Sequence, residues 1–127
     1  MILDHDGNKP IYVQISDWLE SEILRGNLHV DEKVYSQYQL ADMFTINPAT
    51  AAKGLNLLVD DDILFKKRGL GMFVSEHAKE IILQKRKNGV LQQLVADLVK
   101  EARQLNVDET ELLEMIKEAN QKEGEEG

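Results

Sequence analysis

The chain has 127 residues, of which 15 are Lys or Arg, 23 are Asp or Glu and none is Cys, and 43% are hydrophobic, for a net charge of −8. This length suits one domain, or a small domain with an appendage whose modest core favours a partner subunit; the missing Cys excludes disulfides, thiolate metal sites and Cys nucleophiles. No stretch approaches the roughly 20 apolar residues of a membrane span, the acidic start with Asp4 and Asp6 does not read as an export signal, and a cytoplasmic protein is expected. Net acidity by itself argues against nucleic acid, because phosphate binding draws on Lys and Arg.

From Ile11, the residues Ile15, Trp18, Leu19, Ile23 and Leu24 recur at three- and four-residue steps, which predicts an amphipathic helix closed by Gly26-Asn27. Ser36 followed by Gln39 predicts a capping box opening a second helix, with Leu40, Ala41 and Phe44 inward. Asn47-Pro48 restarts a third helix, Asn as N-cap and Pro at the first position, where its missing amide costs nothing; Ala51, Leu55 and Leu58 form its buried stripe. Only Thr45, Ile46 and Asn47 separate the two, the connection length of a helix-turn-helix. Ile63-Leu64-Phe65 and Met72-Phe73-Val74 then read as short strands joined by the basic, Gly-containing Lys66-Lys67-Arg68-Gly69-Leu70-Gly71.

A second regime follows Ser75. Leu91, Leu94, Val95 and Leu98 belong to a long apolar stripe interrupted at Asn88-Gly89, where a kink is expected. Asp108 and Glu111 mark another helix start, with Leu112, Leu113 and Ile116 on its apolar face. These seven side chains form a dimer interface in this reading, because two adjacent helices cannot bury such stripes alone. The predicted fold is mainly α with a small β-hairpin wing. It comprises a winged helix-turn-helix over residues 1–75, a two-helix dimerisation segment over 76–121 and a frayed acidic tail over 122–127.

Residues 1–75 carry 7 basic and 11 acidic side chains, and residues 76–127 carry 8 and 12. Four of the seven, Lys53, Lys66, Lys67 and Arg68, fall on the third helix and the hairpin, the elements that face DNA in a winged helix-turn-helix. The start of the third helix offers Asn47, Ala49 and Thr50 to base edges, with Lys53 one turn on for a phosphate. Unpaired amides and the positive dipole end there are expected to add phosphate affinity. Gly69 and Gly71 let the wing backbone turn tightly and approach the duplex. His5, His29 and His77 are scattered without metal-ligand spacing, and Asp60-Asp61-Asp62 with Glu109, Glu111 and Glu114 read as caps and a solvated face. No metal, cofactor or catalytic constellation is predicted, and the chain is not expected to be an enzyme.

Pro10-Ile11-Tyr12-Val13-Gln14-Ile15, Ser36 with Gln39-Leu40-Ala41, Ile46-Asn47-Pro48-Ala49-Thr50-Ala51-Ala52-Lys53-Gly54-Leu55 and Lys67-Arg68-Gly69-Leu70-Gly71-Met72-Phe73-Val74 stand in the order and spacing of the GntR-type winged-helix transcription regulators. Over roughly residues 10–75 the sequence resembles that family, and specifically its short YtrA-like subgroup. The resemblance implies a homodimer on double-stranded operator DNA, usually a repressor, with C-terminal helices for dimerisation. It also implies a tie to genes for ABC-type transporters. Larger members add an effector-binding domain, so a full small-molecule pocket is not expected here.

Where the family has Leu-Pro-Ser-Glu-Arg-Glu this chain has Val34-Tyr35-Ser36-Gln37-Tyr38-Gln39, so Ser36 and Tyr38 occupy DNA-facing positions and a hydroxyl replaces the contacting Arg. Ser-Arg-Thr-Thr is here Asn47-Pro48-Ala49-Thr50, a later Arg is Ala52, and the usual Gly before the first wing strand is Asp62. The alternative from another class is a winged-helix protein-interaction module without specific DNA binding, which the acidic total would suit.

Overall fold

The computed structural model describes residues 3–5 and 7–126. Six α-helices and a two-stranded antiparallel sheet run in the order α1 (Ile11–Leu24), α2 (Gln37–Phe44), α3 (Pro48–Asp60), β1 (Leu64–Lys67), β2 (Gly71–Val74), α4 (Ala78–Arg86), a π-helical turn (Lys87–Leu91), α5 (Gln92–Gln104) and α6 (Glu109–Glu126). The fold is the expected one, mainly α with a β-hairpin wing. The chain divides into two compact units, the first ending at Lys85 and the second starting at Arg86.

In the first unit α1 contributes Ile15, Leu19 and Ile23 to the core, α2 Leu40, and α3 Ala51, Leu55 and Leu58, the stripes that their spacing predicted. Trp18, Leu24 and Phe44 pack half-buried at its edge. α1 and α3 approach closely because of Gly54, where a Cβ would lie 2.8 Å from the Tyr12 carbonyl oxygen and 3.3 Å from Ile15. The unit extends past the expected boundary at Ser75, because Ala78 and Ile82 of α4 are 1% and 0% exposed in the same core. α4 is also tied down electrostatically: Lys85 Nζ lies 2.7 Å from Glu20 Oε2, whose side chain is 1% exposed, and 2.8 Å from Asp61 Oδ2 at the end of α3.

The helix ends follow their local chemistry. Gly26 (φ 82°) ends α1 in a left-handed cap, with the Asn27 N–H donating to the Glu22 carbonyl and the Gly26 N–H to Ile23. The same arrangement ends α3 on Asp62 (φ 62°) and α5 on Asn106 (φ 59°). Asp and Asn tolerate this region better than other non-glycine residues. Thr45 (φ 55°) does so in the turn between α2 and α3, and its branched Cβ makes that position strained. Thr45→Gly should therefore raise stability by about 0.5–1 kcal/mol, after offsetting glycine's larger unfolded-state entropy; an unchanged urea midpoint would refute the strain.

The wing pairs Leu64 with Val74, Phe65 with Phe73, Lys66 with Met72 and Lys67 with Gly71. The segment Asp31 to Val34 adds a third edge. Asp31 N–H donates to the Val74 carbonyl, Val74 N–H to Glu32 and Val34 N–H to Met72, with Lys33 opposite Phe73.

In the second unit the helical run is interrupted at Lys87–Leu91 by π-helical geometry containing Asn88-Gly89, the point of the expected kink. Asp108 Oδ1 accepts the Glu111 N–H at 2.9 Å, as a cap should. The tail expected to fray is instead helical through Glu126; Gly127 lies outside the described residues.

Candidate nucleic-acid interface

Both helices of the helix-turn-helix start as predicted. The Ser36 hydroxyl accepts the Gln39 N–H at 3.1 Å while Gln39 Oε1 accepts the Ser36 N–H at 2.8 Å. Ser36, expected against DNA, therefore uses its hydroxyl oxygen to start α2, whereas Tyr38 one turn in is 69% exposed.

At α3 the geometry corrects one expectation. Asn47 Oδ1 accepts the Ala49 N–H at 2.8 Å, the Asn47 carbonyl accepts the Thr50 and Ala51 N–H groups, and Pro48 has none to offer. From Pro48 to Ala51 the first turn therefore holds no unpaired amide for a phosphate. Asn47 keeps its side-chain NH2 as a donor. Ala49 and Lys53 are exposed and Thr50 is half-buried. Lys53 Nζ sits 4.0 Å from the centroid of the Tyr12 ring, so α1 steers the cation of α3.

In the wing, Arg68-Gly69-Leu70 makes the tip, with Gly69 at φ 76° and the Leu70 N–H donating to the Lys67 carbonyl at 2.9 Å. Strand alternation puts Phe65, Lys67 and Phe73 on one face, and Leu64 and Val74 on the core face. The two Phe rings are 5.9 Å apart, and Lys67 Nζ stands 4.5 Å from the Phe73 centroid. Lys66 and Arg68 are exposed. Gly71, at φ 123°, was expected to open the backbone to the duplex; a Cβ there would instead meet Lys33 Cε at 2.8 Å, so the side chain of Lys33 fills that space.

Of the seven basic residues in 1–75, Lys9 is paired with Asp17 at 2.9 Å and Arg25 with Glu22 at 3.8 Å. Among the described residues the other five, Lys33, Lys53, Lys66, Lys67 and Arg68, have no carboxylate partner. Eleven acidic side chains share that part of the chain, so these cations are kept apart from abundant counter-charge. Tyr12, Phe65 and Phe73, which hold two of them, carried no sequence signal beyond core spacing, and Lys33 carried none.

In the second unit the residues expected at a dimer interface form an uncovered surface on one chain. Leu91, Leu94, Val95, Leu98, Leu113 and Ile116 are 41–57% exposed, and Leu112 is half-buried. Among the described residues there is no cluster of three or more His, Cys, Asp or Glu suited to a metal ion, and no helix long and apolar enough to cross a membrane.

No protein-family model matches the chain. It is 30% identical to the HTH-type transcriptional repressor YtrA of Bacillus subtilis over 116 residues, 91% of this chain and 88% of YtrA. It is 36% identical to the repressor NagR of the same organism over 75 residues, 59% of this chain but only 31% of NagR. Among solved structures, a GntR-family regulator of Bacteroides thetaiotaomicron superposes with a TM-score of 0.77 at 27% identity, over 90% of this chain and 99% of that one. The DNA-binding domain of AraR in complex with its operator ORE1 aligns at 27% identity with a TM-score of 0.52, over 57% of this chain and 89% of that one. Full-length similarity to a short repressor, together with a winged helix-turn-helix whose unpaired cations cluster on α3 and the wing, establishes that this chain belongs to the GntR family of transcription regulators, in its YtrA-type branch.

Proposed function

We propose that the protein is a cytoplasmic, homodimeric, sequence-specific DNA-binding repressor and not an enzyme, acting on an operon such as one for an ABC-type transporter. The observation that carries this reading is that, within residues 1–75, the five cations without a carboxylate partner among the described residues all lie on α3 or on the wing with its third edge, and such a cluster of Lys and Arg is the electrostatic footprint of a phosphate-binding surface. The operator complex of the AraR domain supports it by analogy. The uncovered apolar stripes of α5 and α6 support pairing with a second copy, which would place two reading helices in successive major grooves about 34–36 Å apart. In this reading Lys53, Lys66, Lys67 and Arg68 position the protein on phosphates, while Asn47, Ala49 and Thr50 face base edges and Tyr38 adds a hydroxyl contact.

The test separates positioning from reading. Arg68→Ala should weaken binding to an operator and to a scrambled duplex alike and reduce the slope of log K against log salt by about one, whereas Thr50→Ala should mainly narrow the gap between the two duplexes. Equal losses of discrimination in both variants would overturn these roles. A folded chain that selects no duplex from genomic fragments would favour a protein-interaction module.

A further inference from the structure

Lys33 stands on the strand segment opposite Phe73, on the face of the wing that carries Phe65, Phe73 and Lys67. Three observations single it out. It is exposed and has no carboxylate partner among the described residues, although Asp31 and Glu32 precede it. Glu32 is engaged elsewhere, its Oε1 accepting the His29 N–H at 3.0 Å, and alternation sends it to the opposite face. Finally, the stem of Lys33 lies across the wing at Gly71, close enough that a Cβ on Gly71 would be 2.8 Å from Cε and 3.7 Å from Nζ.

Gly71 therefore makes room for a lysine: the place where the wing backbone could have met the duplex directly is filled by Lys33 Cε, with its ammonium group beside it. With Lys67 held over the Phe73 ring, the outer face of the wing presents two lysines flanking an aromatic pair. We infer that Lys33 is a phosphate-contacting residue, which enlarges the wing's contact with duplex DNA from the hairpin to the third edge strand. The inference rests on the DNA-binding reading above and adds a residue outside both the reading helix and the hairpin.

Fluorescence-anisotropy titrations of the full chain across a salt series test it, using a duplex enriched by selection from random-sequence DNA and a scrambled duplex of equal composition. Lys33→Ala and Lys33→Gln should each weaken binding to both duplexes by about three- to fivefold, the range of one exposed charge pair, and lower the salt slope by about 0.9, the value for one neutralised phosphate. Lys33→Arg should restore both quantities, and the thermal midpoint should be unchanged in all three, which a merely structural role would not produce. If Arg68→Ala loses affinity while the Lys33 variants keep the wild-type affinity and slope, this inference fails and the DNA-binding reading stands. If the wild-type chain binds neither duplex, the reading itself fails and the inference with it.

Discussion

A chain ending at Lys85 should fold and bind its operator about 10²- to 10⁴-fold more weakly than the full protein, while a chain ending at Ser75 should not hold a stable fold at all. The shorter piece lacks Ala78 and Ile82, both fully buried in the first core. Loss of a buried Ile-sized side chain alone costs about 2–5 kcal/mol, against the roughly 5–15 kcal/mol that stabilises a domain. It also strips Lys85 from the buried carboxylate of Glu20. The longer piece keeps that core and loses Arg86, the π-helical turn, α5 and α6, whose exposed apolar side chains are proposed to join two copies. Its affinity falls because two half-sites are no longer bound as one event, an effective-concentration effect of that size. Circular dichroism melts and gel shifts of both pieces check this. Full operator affinity in the chain ending at Lys85 would refute the assignment of α5 and α6 to dimerisation.

Lys85→Met should cost about 2–3 kcal/mol, less than the 3–5 kcal/mol typical of a broken buried ion pair because Lys85 is itself 43% exposed. What is lost is the 2.7 Å contact of a buried carboxylate with its lysine. The double variant Glu20→Gln with Lys85→Met should recover part of the loss, as removal of the buried charge also removes its need for the lysine; additive losses in urea melts would show that the pair acts through something else. The pH dependence has a definite sign. Burial works against the charge of Lys85, but its hydrogen bonds to Asp61 and Glu20 outweigh that cost and hold its pKa above the ordinary lysine value of 10.5. The stabilisation is therefore complete below that value and is lost as pH rises through the higher folded one. Wild-type stability should fall more steeply than that of Lys85→Met on the alkaline side, with no difference in slope between pH 6 and 9.

Features written in adjacent residues were legible beforehand. Ser36 and Gln39, Asn47-Pro48, Gly26 and Asn88-Gly89 each mark a helix boundary or break through a local hydrogen bond or backbone preference, and each does so in the structure. The apolar stripes of α1, α2 and α3 follow from helical periodicity alone. What escaped depends on residues far apart. Glu20 and Lys85 are 65 positions apart, and no local pattern links them until packing joins them. Lys33 meets Phe73 through a single bridge, too short to leave an alternating pattern. The same gap explains the boundary at Ser75, since nothing local shows that Ala78 and Ile82 continue the first core. At the start of α3 a good N-cap and an N1 proline satisfy the helix end so well that little backbone is left to bind an anion.

Gly54 has a consequence for how such a protein changes partners over time. Its lack of a side chain lets α3 sit against the Tyr12 carbonyl and Ile15, and with Ala51, Leu55 and Leu58 it pins the inner surface of α3 at one depth and angle. The outer surface, Ala49 and Asn56, carries no such obligation, and Lys53 is engaged only at its tip, over the Tyr12 ring. If α3 reads DNA as proposed, operator preference is free to drift by exchange of a few outward side chains while the docking pose is inherited unchanged. Replacement of Gly54 would do the reverse, tilting every contact at once and leaving no single base pair to which a compensating change could be addressed.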